Sequence, residues 1–86
     1  MDSYRISWKP SALRELKGLP REMLARVVRA VEALATNPHP PGSKKLIGSQ
    51  HTYRIRLGDY RVVYDVLVSQ VMIEVIRVGH RRDIYR

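Results

Sequence analysis

The chain has 86 residues and a mass of 10.0 kDa, enough for one small core and not for two. It contains no cysteine, which excludes a disulfide framework, a thiolate zinc site and a cysteine nucleophile. Sixteen Lys and Arg against eight Asp and Glu give a net charge of +8, and the cations are mostly arginine, whose planar fork suits phosphate. Such a surface attracts polyanions, with nucleic acid first among them. No stretch approaches the roughly 20 apolar residues of a membrane span, and the N-terminal MDSYRISWKP lacks the apolar run of a signal peptide. The expectation is a single cytoplasmic domain over residues 1–86 that makes no membrane contact.

In chain order, Tyr4 to Trp8 alternates bulky apolar and polar residues and predicts a first strand. Pro10 suits a first helical position, Leu13 and Leu16 follow at helical spacing, and Gly18 closes this helix. Pro20 opens a longer amphipathic helix. It gathers Leu24, Val27, Val28, Val31, Leu34 and Ala35 on one face, with Arg21, Arg26, Arg29 and Glu32 opposite. Asn37-Pro38 ends it, because the residue before proline disfavours the helical region, and HPPGSKKLIGSQ reads as a loop.

The period then falls to two. Tyr53, Ile55 and Leu57 face one way, and Arg54 and Arg56 the other. Gly58-Asp59 is a turn dipeptide, Tyr60 to Leu67 forms the returning strand, and Ser69-Gln70 turns the chain again. Val71 to Val78 is apolar on both faces, as a covered central strand should be, and Gly79 is expected to end it. The order β-α-α-β-β-β predicts an α+β fold: an antiparallel sheet with the N-terminal helical hairpin packed on one face and the other face open.

On that open face the turn brings Arg54, Arg56 and Arg61 together, the last strand adds Arg77, and the tail GHRRDIYR adds His80, Arg81, Arg82, Tyr85 and Arg86. Guanidinium groups that hold phosphates beside rings that stack on bases are the equipment of single-stranded RNA recognition. Lys44 and Lys45 in the loop extend the basic set. Metal-free RNA cleavage needs a base for the 2′-OH, an acid for the leaving 5′-oxygen and cations for the charge on the phosphoryl group; His80 and Tyr85 are the candidate acid and base. Asp59 reads as a turn residue and Asp83 as an arginine partner. His39, His51 and His80 lie on different elements without metal-ligand spacing, so neither a metal nor a cofactor is expected.

The runs YRIRLGDYRVVYDV and VIRVGHRRDIYR, the segment WKPSALRELKGLP and the loop TNPHPPGSKKLIG, in this element order, resemble the RelE/ParE toxin superfamily, and within it the RelE-like ribonuclease branch. The resemblance spans nearly the whole chain. It implies a type II toxin that enters the ribosomal A site, cleaves translated mRNA and is restrained by a cognate antitoxin bearing an acidic or amphipathic segment. Operator DNA would be bound only by the toxin-antitoxin complex. Carried onto this chain, Arg61 and Arg81 would stabilise the phosphate, Arg54 and Arg56 would hold RNA backbone, and Tyr85 would stack on or deprotonate the scissile nucleotide. The implied products end in a 2′,3′-cyclic phosphate and a 5′-hydroxyl. Some relatives carry lysines where this chain has Arg54 and Arg56, and arginine is a poor base, so base duty shifts to Tyr85 or His80. The other reading on the same fold is a ParE-like inhibitor of DNA gyrase.

Overall fold

The computed structural model describes residues 3–84, and for 83 and 84 the backbone alone. Strand β1 (Arg5–Trp8) leads into helix α1 (Pro10–Lys17) and helix α2 (Arg21–Leu34). Strands β2 (Lys44–Lys45), β3 (Thr52–Leu57), β4 (Tyr60–Leu67) and β5 (Met72–His80) follow, and a short helix α3 (Arg81–Ile84) ends the described chain. The five strands form one sheet in the order β1-β5-β4-β3-β2.

Pro10 occupies the start of α1, where its missing N–H and fixed φ cost nothing. Ala12 and Leu16 of α1 and Val27, Val31 and Leu34 of α2 are buried against Ile55, Val62, Tyr64, Val66, Ile73, Val75 and Val78 of the sheet. All the core side chains contributed by β3 and β4 come from one alternate set of positions, so the helices cover one face only. The other set of β3 and β4 carries Arg54, Arg56 and Arg61.

Three features depart from the sequence-based expectation. First, β1 pairs with β5 in parallel, Ile6 opposite Ile73, so only the β2–β5 part of the sheet is antiparallel. The helical hairpin carries the chain across the sheet between them, which leaves β5 an interior strand between β1 and β4, as its two apolar faces require. Second, Lys44 and Lys45 leave the predicted loop to add a two-residue edge strand, Lys44 opposite Arg54. Third, β5 does not stop at Gly79. The ladder with β4 continues until β4 itself begins, pairing Gly79 with Arg61 and His80 with Tyr60.

Two turns shape the site end and its opposite. Gly58 has φ 62 while Asp59 has negative φ, the signature of a type II′ hairpin that requires glycine first. At the far end, the 3₁₀ turn Val68–Gln70 hands over to Val71 in the left-handed region, φ 50 and ψ 52, which is strained for a β-branched residue. A bulge between Val63 and Tyr64 on β4 leaves Ile76 unpaired on β5. It lets Val75 and Val78, three residues apart, both reach the core while Ile76 and Arg77 are turned out.

Candidate nucleic-acid interface

The hairpin register assembles the cations. Arg56 stands opposite Arg61, and Arg61 in turn opposite Gly79; one row further along, Lys44, Arg54, Val63 and Arg77 line up across four strands. Paired residues of neighbouring strands put their side chains on the same face about 5 Å apart, so like charges meet twice, at Lys44–Arg54 and at Arg56–Arg61. Each such pairing costs stability.

Burial sharpens the cost. Arg54 and Arg61 retain only 9% and 8% of their surface, although alternation on an open face predicts wet side chains. Arg54 Nη1 and Arg61 Nε are buried without a hydrogen-bond partner among the described residues. A buried guanidinium normally finds a carboxylate or several carbonyls. Among the described residues Arg54 Nη1 and Arg61 Nε have none, and phosphate oxygens are acceptors of the kind these atoms lack. A hollow of about 220 Å³ is lined by Arg54, Ile55 and Arg56 together with Pro41, Gly42 and Lys44. A second, of about 450 Å³, is lined by Lys44, Lys45, Leu46, Ile47 and Arg54.

Arg56, Lys44, Lys45, Arg81 and Arg82 are exposed around this centre. The backbone N–H of Arg81 donates to the Asp59 carbonyl at 2.8 Å, so the start of α3 is anchored to the hairpin turn that carries Arg56 and Arg61. Tyr85 and Arg86 lie outside the described residues.

Arg77 and His80 sit apart from the pair of buried arginines. Arg77 Nη2 lies 3.4 Å from Glu15 Oε2 of α1, and Glu15 Oε1 accepts the Val78 backbone N–H at 2.9 Å. Glu15 thereby caps the edge of β5 just where β1 has run out. Strand alternation turns His80 to the helix side, with Tyr60 and Val62, and not to the side of Arg61 and Gly79. Its ring meets Tyr60 edge to face, centroids 5.4 Å apart, and its Nδ1 accepts the Arg82 backbone N–H at 3.2 Å, which leaves the ring proton on Nε2. Glu15, Tyr60, Arg77, Val78, Gly79 and His80 line a separate hollow of about 310 Å³ with the Gly18–Pro20 turn. Sequence reasoning had no signal for Glu15, since its role depends on α1 crossing the end of β1.

The other two histidines have separate neighbours. His39 packs edge to face on Tyr53, centroids 4.7 Å apart, and His51 Nε2 lies 3.7 Å from Asp65 Oδ2. Tyr64 is wholly buried and donates its hydroxyl proton to the Pro38 carbonyl at 2.7 Å. Burial is the main cause that pushes its phenol up to about 12, with nearby Tyr53 adding to the rise and a Ser43 hydrogen bond opposing it.

Residues 6–85 match the family model described as the ParE toxin of the type II toxin-antitoxin system, parDE. The chain belongs to the RelE/ParE family of type II toxins. It is 36% identical over 86 residues to the putative toxin RelE1 of Methanocaldococcus jannaschii, covering 96% of each chain. Among solved structures, it matches the RelBE2 toxin-antitoxin complex of Mycobacterium tuberculosis with a TM-score of 0.80 and 30% identity, over 92% of this chain and 99% of that one. It matches the archaeal RelE-RelB complex of Pyrococcus horikoshii OT3 with a TM-score of 0.82 and 29% identity, over 94% and 98%. This RelE/ParE toxin therefore carries the buried Arg54 and Arg61 on the common fold of its relatives.

Proposed function

We propose that this toxin is a ribosome-dependent endoribonuclease that cleaves translated mRNA in the A site. The observation that carries the reading is the pair Arg54 and Arg61, both buried and both with a polar atom lacking an acceptor, on the face without helices. A surface meant only to be soluble gains nothing from burying such groups, whereas a phosphodiester supplies their acceptors. Arg61 and Arg81 neutralise charge that develops on the phosphoryl oxygens as the 2′-oxygen attacks phosphorus and the 5′-oxygen departs. Arg54, Arg56, Lys44, Lys45 and Arg82 hold the backbone on either side. Fixed guanidiniums offer the electrostatic help that a divalent metal offers elsewhere, so the reading needs no metal and yields a 2′,3′-cyclic phosphate and a 5′-hydroxyl. Tyr85, as its phenolate, takes the proton of the 2′-OH, and a solvent water gives one to the departing 5′-oxygen. His80 contributes only where substrate reaches the helix side of β5, the side on which its ring lies.

The partner that holds this activity in check is a cognate antitoxin. The Mycobacterium tuberculosis and Pyrococcus horikoshii relatives were each captured with an antitoxin. An acidic or amphipathic antitoxin segment would neutralise the same basic face, folding as it binds. The test is toxicity at equal expression. An Arg61→Ala, Arg81→Ala double variant loses growth arrest while keeping its fold; continued arrest would contradict the assignment. The second reading, inhibition of DNA gyrase, is favoured by the ParE description of the matching family model, and a supercoiling assay separates the two.

A further inference from the structure

Gly79 is the one side-chain gap in the row of cations, and the fold does not explain it. Its φ is not in the left-handed region, so no backbone conformation demands glycine. A Cβ built there would meet nothing within 4 Å, so no packing contact demands it either. Glycine inside a paired strand weakens that strand, and one use of such a glycine is to let a ligand or another backbone approach closely. The cross-strand partner of Gly79 is Arg61, whose buried Nε lacks an acceptor among the described residues. Arg56 lies beyond Arg61 in the same row, and Arg81 follows two residues later in the chain.

We propose that Gly79 is a positioning residue whose missing side chain admits the scissile phosphate against the β5 backbone, between Arg61 and Arg81. The inference rests on the endoribonuclease reading and gives that site its floor. A methyl group at position 79 occupies the space of a phosphate oxygen and lifts the phosphoryl group away from Arg61. It leaves the peripheral cations that dock RNA untouched. The effect therefore falls on the chemical step and not on association.

The experiment compares wild type, Gly79→Ala and Gly79→Val for cleavage of a defined mRNA on programmed ribosomes, with thermal melting of each protein in parallel. The expected result is a kcat about tenfold lower for Gly79→Ala and about a hundredfold lower for Gly79→Val, the scale of a misplacement near 1 Å, with KM within about twofold and melting temperatures equal to or above wild type. Gly79→Ala with wild-type kcat overturns the proposal and leaves the endoribonuclease reading standing. A Gly79→Ala protein that melts well below wild type also overturns it, because the glycine would then serve packing. A wild type that fails to cleave, beside an active relative as control, overturns the endoribonuclease reading and this inference with it.

Discussion

Arg56 and Arg61 stand directly opposite each other across the β3–β4 hairpin, two like charges in register on the face that carries no helix. Arg61 is buried with its Nε lacking a partner among the described residues, so the native state holds a repulsion and a desolvation cost together. Burying a charge that is not fully hydrogen-bonded costs stability, and an apolar group of similar length relieves that cost. Arg61→Met is therefore expected to gain about 1 kcal/mol, raising the melting temperature by roughly 4–8 °C in a domain this small, while toxicity disappears. Calorimetry of the purified variant checks this. A lowered melting temperature would make Arg61 a structural residue instead.

Tyr64 gives the fold a pH dependence of definite sign. Its phenol ionises near 10.0 when unfolded and is pushed up to about 12 in the native state, mainly by burial. Between those values the unfolded chain loses a proton that the native state keeps, so stability is full below pH 10 and falls as pH rises toward 12. The expected loss across that window is on the order of 2 kcal/mol. Tyr64→Phe removes this component. It also removes the donor to the Pro38 carbonyl, costing about 1–2 kcal/mol at neutral pH. Urea unfolding of both proteins at pH 8 and pH 11 reads both effects, and parallel alkaline curves would rule out Tyr64 as their source.

Glu15 holds the end of β5. Its Oε1 accepts the Val78 N–H that β1 is too short to reach. Glu15→Gln keeps an acceptor and is expected to cost under about 1 kcal/mol, whereas Glu15→Ala orphans the amide and costs about 1–2 kcal/mol. Amide hydrogen exchange at Val78 should quicken in Glu15→Ala and stay near wild type in Glu15→Gln. Equal protection in all three proteins would show that another group caps this edge.

Val71 offers a gain. A β-branched side chain in the left-handed region costs roughly 1–2 kcal/mol, and at 43% exposure Val71 has little packing to lose. After the entropy penalty of glycine, Val71→Gly is expected to stabilise by a few tenths to about 1 kcal/mol, seen as a melting temperature higher by a few degrees. No rise, or a fall, would mean that Val71 makes contacts worth more than its strain.

Period and turn chemistry carried most of the fold. The strand Tyr60–Leu67 has the predicted ends because the Gly58-Asp59 turn fixes its start, and both helices fall between the prolines and Gly18 as expected. Pairing partners were not legible. Nothing local to Tyr4–Trp8 says that β1 joins β5 in parallel, and two lysines carry too little pattern to announce an edge strand. At the site, alternation placed Arg54, Arg56 and Arg61 together, yet it also labels polar positions as wet, so the burial of Arg54 and Arg61 could not be read from it. Alternation carried past Gly79 also puts His80 on the helix side, but only the continued ladder to Tyr60 shows that the strand extends that far.

In the proposed function the buried Arg54 and Arg61 serve cleavage of translated mRNA. The most direct test adds purified toxin to ribosomes translating a defined message, maps new 5′ ends by primer extension, and runs a gyrase supercoiling reaction alongside. Cuts within A-site codons that require the ribosome, free 5′-hydroxyl ends and undisturbed supercoiling are the expected result. An intact message together with lost supercoiling would contradict it and place this toxin among the gyrase inhibitors.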